Sequence, residues 1–174
     1  MGFVEVNPSD LDRPQTRSRR QYVPSIDDFV QRQERLIDTT GWAVTHVLPT
    51  EHDPDLTPFT YTVGLTAHDQ PELVAAGLSP EIAHSLLNDL ARRVHDRAER
   101  FTHGQLIRNF IASYDAIIID GPPTDDLLPG LAIARYGRAR VRLQQMVWPD
   151  QQGLFPWDAG YDLAPGAQPL IACR

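Results

Sequence analysis

The segment SPEIAHSLLNDLARRVHDRAER, residues 79–100, limits what this chain can fold into more than any other stretch. Ser79 is placed to cap a helix, and Pro80 suits the first helical position, where no amide donor is needed. Glu81 favours the positive end of the helix dipole. At 100° per residue, Ile82, Leu86, Leu87, Leu90, Val94 and Ala98 fall within an arc of about 160°. A long helix with one apolar arc needs a broad apolar partner. The spacing predicts that Ile82, Leu86, Leu90 and Val94 face a sheet.

The sheet is written upstream as a change of period. In WAVTHVLP, Trp42, Val44, His46 and Leu48 alternate with Ala43, Thr45 and Val47. In FTYTVGL, Phe59, Tyr61, Val63 and Leu65 share one face, while Thr60, Thr62 and Gly64 share the other. The acidic connector of residues 50–58 between them suits an antiparallel pair, and ELVAAGL reads as a third strand. Before them, PSIDDFVQRQERLIDTTGW carries a capping box at Ser25 and Asp28, a stripe of Phe29, Val30, Gln33, Leu36 and Ile37, and a C-terminal Gly41. Later, DAIIID reads as a buried strand, LAIARYG as a short helix and RARVRLQQMVW as a long strand. The order is αβββα, then β, a short helix and β. It predicts an α+β fold, a mostly antiparallel sheet covered by helices with one long amphipathic helix at about 79–100. Residues 1–24, polar and bearing Arg13, Arg17, Arg19 and Arg20, are expected to form a flexible arm, and residues 25–174 a single α+β domain.

Composition removes several chemistries. The formal net charge is −7, so specific nucleic-acid binding is not expected. All 16 basic residues are arginine, which leaves no lysine for a Schiff base or a phosphate loop. The single cysteine, Cys173, excludes an internal disulfide and a cysteine-built zinc site. No window reaches the roughly 18 apolar residues of a membrane span, and the N-terminal sequence lacks a signal-peptide core; a cytoplasmic protein without membrane contact is expected. There is no GxSxG nucleophile elbow, and Asp125–Asp126 reads as a solvated loop pair.

The candidate site gathers around TVGLTAHDQPEL. Gly64 leaves one strand face bare, which admits a bulge, a ligand or another backbone. Beyond it, Thr66, His68 and Asp69 stand at the strand exit. On a purely structural reading, Thr66 and Asp69 instead bond local amides at a hairpin end. His84 and His95 lie eleven residues apart, about 16 Å along a helix, too far to share a metal ion. Each is left to meet another residue, such as His68 or His103, across the fold. No paired-histidine spacing occurs, so no metal is expected. Late aromatics, Trp148, Phe155, Trp157 and Tyr161, either wall a pocket or pack the final turns. The expected ligand-binding set is Tyr61, Thr62, Gly64, His68, His84, His103, Trp148 and Trp157, with no catalytic residue and no cofactor identified.

Taken in order, the blocks GWAVTHVLP, FTYTVGLT, PELVAAGL, HSLLNDLARRV and WPDQQGLFPWD resemble the bacterial family filed as domain-of-unknown-function 4262, over roughly residues 26–160. The resemblance implies a small soluble bacterial protein and carries no activity to any residue. Two functions remain open. One is a small-molecule- or cofactor-binding protein, enzyme or not, with a pocket near the end of strand 59–65. The other is a protein-interaction module of the immunity or accessory type, without catalysis, presenting an apolar patch rimmed by acidic residues.

Overall fold

The computed structural model describes residues 25–171, so the arm of residues 1–24 and Cys173 lie outside the described residues. The element order is α1 (Ile26–Thr40), β1 (Ala43–Val47), β2 (Phe59–Val63), a 3-10 turn (Leu65–His68), β3 (Glu72–Ala76), α2 (Pro80–Arg97), β4 (Gln105–Ile111), β5 (Tyr114–Gly121), α3 (Gly130–Tyr136) and β6 (Leu143–Val147). The strands form one six-stranded sheet in the order β1-β2-β3-β6-β5-β4. Every pairing is antiparallel except β3 with β6. Two antiparallel triples therefore meet at a parallel seam, with Glu72 opposite Leu143 and Val74 opposite Gln145. The fold is α+β, as the periodicity predicts.

Helices cover both faces. On one, Ala83, Leu87, Leu90, Ala91 and Val94 of α2 pack with Val44, Leu73, Ala75, Ile107, Ala116, Ile118 and Met146. On the other, Phe59, Tyr61, Val63, Val74, Ile117, Ile119 and Val147 pack with Ala132 of α3, Ile171 and, more peripherally, Ile37 of α1. β5 is buried on both faces, which explains its uninterrupted AIII run.

Caps behave as their residues require. Ser25 Oγ accepts from Asp28 N at 3.1 Å while Ser25 N donates to Asp28 Oδ2 at 3.1 Å, a reciprocal capping box. Gly41 ends α1 at φ 95°, a left-handed conformation that suits glycine. Ser79 caps α2 through Ile82 N.

Three sequence expectations are corrected. Ile82 is 49% exposed and Leu86 only half-buried; the buried arc of α2 is turned by about 50° toward Ala83 and Ala91. Small side chains there let the helix backbone approach the sheet, which the large residues alone do not reveal. Strand β4 was not anticipated. Its period breaks at a register shift between Ile107 and Ile111, where Asn109 adopts φ 50°. Strand β6 is shorter than RARVRLQQMVW suggests, since residues 138–140 form a turn.

Candidate functional site

The turn after β2 is organised by one buried carboxylate. Glu72 is fully buried at the start of β3. Its Oε1 accepts from the amides of Gly64 at 3.0 Å and Thr66 at 2.9 Å, and its Oε2 from Thr62 Oγ1 at 2.7 Å and Leu65 N at 3.3 Å. Burial pushes the Glu72 pKa up, with the Thr66 amide, the Thr62 hydroxyl and the Gly64 amide pulling the other way. Thr62 Oγ1 also accepts from Leu73 N at 2.9 Å, so one hydroxyl joins β2, β3 and the turn.

The bare face of Gly64 is filled by backbone. A Cβ there would overlap Gly41 O and lie 2.7 Å from Trp42 Cα, and its φ is 135°. Glycine is required because the backbone at Gly41 and Trp42, just before β1, passes closely at this point.

Asp69, at φ 56°, closes the turn. Its carbonyl and Oδ1 accept from Arg142 Nη2 at 2.9 and 3.0 Å, and Glu72 N donates to Arg142 O at 2.9 Å. The turn is thereby fixed against the strand leading into β6.

Beside it opens a cavity of ≈ 750 Å³, where β3 and β6 begin and β5 ends. Its walls come from four separate segments: residues 69–71, 100–102, 120–123, and Arg138 with residues 141–144. Phe101, Val141 and Leu143 are buried and supply the apolar floor. The polar groups are Arg100, Arg138, Arg142, Asp69, Asp120, Gln70, Gln144 and Thr102. Gln144 Nε2 donates to Phe101 O at 2.9 Å and to Asp120 Oδ1 at 2.8 Å, pinning the far wall.

The residues singled out from the sequence are spread across the molecule. Tyr61 lies in the core under α3, its hydroxyl accepting from Leu131 N at 3.0 Å; burial raises its pKa, the Leu131 amide opposing and Glu72 adding. Thr62 and Gly64 serve the Glu72 cluster. His68 is exposed and meets His95 edge-on, ring centroids 5.1 Å apart, in a hollow of ≈ 240 Å³ that shares Gln70 and Arg100 with the large cavity. His84 faces His46 at 5.6 Å, and His46 Nδ1 bonds Thr60 Oγ1 at 2.9 Å. His103 Nδ1 accepts from Asp120 N at 3.0 Å, behind the cavity rim. His68, His84 and His103 thus have three different neighbours and do not meet one another. Among the described residues no group of three or more His, Cys, Asp or Glu is arranged to hold a metal ion.

Trp148 and Trp157 lie beyond the end of β6, whereas the cavity lies at its beginning. Trp148 Nε1 donates to Ala76 O at 2.8 Å, and Trp157 stacks on Phe155 at 5.4 Å. That region is a structural knot. Asp150 Oδ1 accepts from the amides of Gln152 and Leu154, and Oδ2 from Asp162 N, each at 2.9 Å. Burial acts to raise the Asp150 pKa, but the amides of Leu154, Asp162 and Gln152 outweigh it and hold the carboxyl below its usual range.

Sequence reasoning missed Arg100, Arg138, Arg142 and Gln144. A polar Gln144–Gln145 pair within an apolar strand was the available signal.

No helix among the described residues is long and apolar enough to cross a membrane. Comparison with curated proteins and with solved structures gave no match. A family model does match, over residues 36–162, and takes in the turn, the cavity and the knot. The chain belongs to the family described as Domain of unknown function (DUF4262).

Proposed function

We propose that this protein binds a small molecule in the ≈ 750 Å³ cavity where the two strand triples meet. One observation carries the reading: four distant segments form a recess of ligand size whose apolar floor is ringed by a few polar groups. The hydrogen bonds of Glu72, Arg142 and Gln144 hold those segments in place, so a ligand would meet a largely preformed surface.

A second reading, a protein-interaction module, draws on α1. Ile26, Phe29 and Leu36 are 82%, 39% and 42% exposed within an arc of about 80° of that helix. An exposed apolar strip is what such a module would present.

Protein-observed NMR on the full chain, titrated with pooled small metabolites, separates the two. Shifts are expected at residues 69–71, 100–102 and 141–144, and they should vanish in Pro122→Trp, a bulky change at an exposed lining position. Shifts confined to α1, or unchanged in Pro122→Trp, would count against the cavity.

A further inference from the structure

We infer that the cavity selects an anion with an apolar body, a carboxylate or phosphate monoester held by Arg100 and Arg138; this rests on the small-molecule reading above. The whole chain carries a formal charge of −7, yet the cavity lining carries three arginines against two aspartates. A positive recess in a negative protein is a local arrangement that the overall composition does not produce by itself.

The charges are not equivalent. Arg142 is committed to the carbonyl and carboxylate of Asp69. The Asp120 carboxylate accepts from Gln144 Nε2 and is fixed on the opposite wall. Arg100 and Arg138 line the same recess and are exposed, and among the described residues neither makes an ion pair or a hydrogen bond. Their guanidinium groups present planar, paired donors, the geometry that matches a carboxylate or a phosphate. Phe101, Val141 and Leu143 are buried beneath the lining, and half-buried Pro71 and Pro123 with exposed Pro122 offer accessible apolar surface that suits a hydrocarbon or aromatic body rather than a bare inorganic ion. The site therefore has two ends, with charge at the mouth and hydrophobic contact at the floor.

Calorimetric titration of the full chain with 4-phenylbutyrate, phenyl phosphate, neutral 4-phenylbutyramide and cationic 4-phenylbutylamine tests this. At least one anion should bind about tenfold or more tightly than the amide, with the advantage weakened at high salt. Whichever anion binds more tightly identifies the head group. Arg100→Gln and Arg138→Gln should each cut anion affinity about tenfold while leaving the amide unaffected, and the Lys variants should restore part of the loss. Both positions are exposed, so thermal melts should show the variants folded. Equal affinity for amide and anion, or a preference for the amine, would overturn the charge inference and leave the small-molecule reading standing. Absence of binding by all four probes up to about 10 mM would overturn both.

Discussion

Glu72 has no water-exposed surface and four donors facing its two carboxylate oxygens. Three of those donors are backbone amides that would otherwise be buried without partners, so the carboxylate satisfies the turn as much as the turn satisfies it. Burial places its folded pKa above the ordinary value of 4.5. Relative to the unfolded chain, the fold therefore makes ionisation of this carboxyl harder. Its contribution to stability is complete below about pH 4.5 and is lost as the pH rises through the higher folded value. Glu72→Gln, which turns an amide NH₂ toward backbone N–H groups, should cost about 1–3 kcal/mol at the acid end. The gap to the parent should narrow as the pH rises. Urea midpoints measured from about pH 4 to about pH 8 would show this; a gap independent of pH would contradict it. His46 bends the curve the other way. Its pKa is lowered by burial and by His84, with Glu81 pulling it up. The sign is opposite to that of Glu72: its contribution is present above about pH 6.5 and lost as the pH falls through the lower folded value. His46→Gln should flatten the acid side of the stability profile, and an unaltered acid limb would rule out that assignment. None of this was legible from residue type alone. A glutamate opening ELVAAGL looks like a solvent-facing strand start, and its burial follows from position in the middle of the sheet.

Helix α2 shows how far local pattern reaches. Its caps, length and amphipathic character follow from residues 79–100, but the arc was centred on its largest side chains and so placed Ile82 inside. The structure turns that face toward Ala83 and Ala91. Leu90→Ala should cost about 2–5 kcal/mol because Leu90 is fully buried, whereas Ile82→Ala should change stability by less than about 0.5 kcal/mol. Denaturant unfolding of the two variants checks the orientation directly, and comparable losses would restore the original facing. β4 was missed for a related reason. An edge strand that exposes Leu106 and shifts register around Asn109 offers no steady period of two. Turns are harder still: the segment from Gly64 to Glu72 reads as a site because its pattern breaks, and the break marks close passage of Gly41 and Trp42 and a carboxylate-centred turn. Yet the neighbouring Asp69, Gln70 and Pro71 do form one wall of the cavity.

Across the complete chain, the cavity could not be read in advance because no single window contains it. Arg100 follows α2, Asp120 lies near the end of β5, and Arg138 and Arg142 precede β6; only the insertion of β6 between β3 and β5 assembles them. The same insertion orders the C-terminal segment. Gln145 on β6 donates to Pro169 O at 2.8 Å and accepts from Ile171 N at 2.9 Å, while Gln168 bonds the backbone of Trp148 at both its N and O. A chain ending after Arg142 should therefore lose cooperative unfolding altogether, not just its final strand. Near-ultraviolet circular dichroism of that truncation would decide the matter, and a retained, sharply melting signal would show the first triple to be self-sufficient. The parallel seam also bears on how the protein is made. Leu73, Val74, Ala75 and Ala76 pack on both faces of a strand whose second partner is translated only after almost everything else. A chain emerging from the ribosome thus carries an unpaired, apolar strand edge throughout the interval between β3 and β6, the feature that invites wrong pairings between neighbouring nascent chains. Holdase chaperones and dilute expression should raise the yield of folded protein more than a stabilising change in the finished structure.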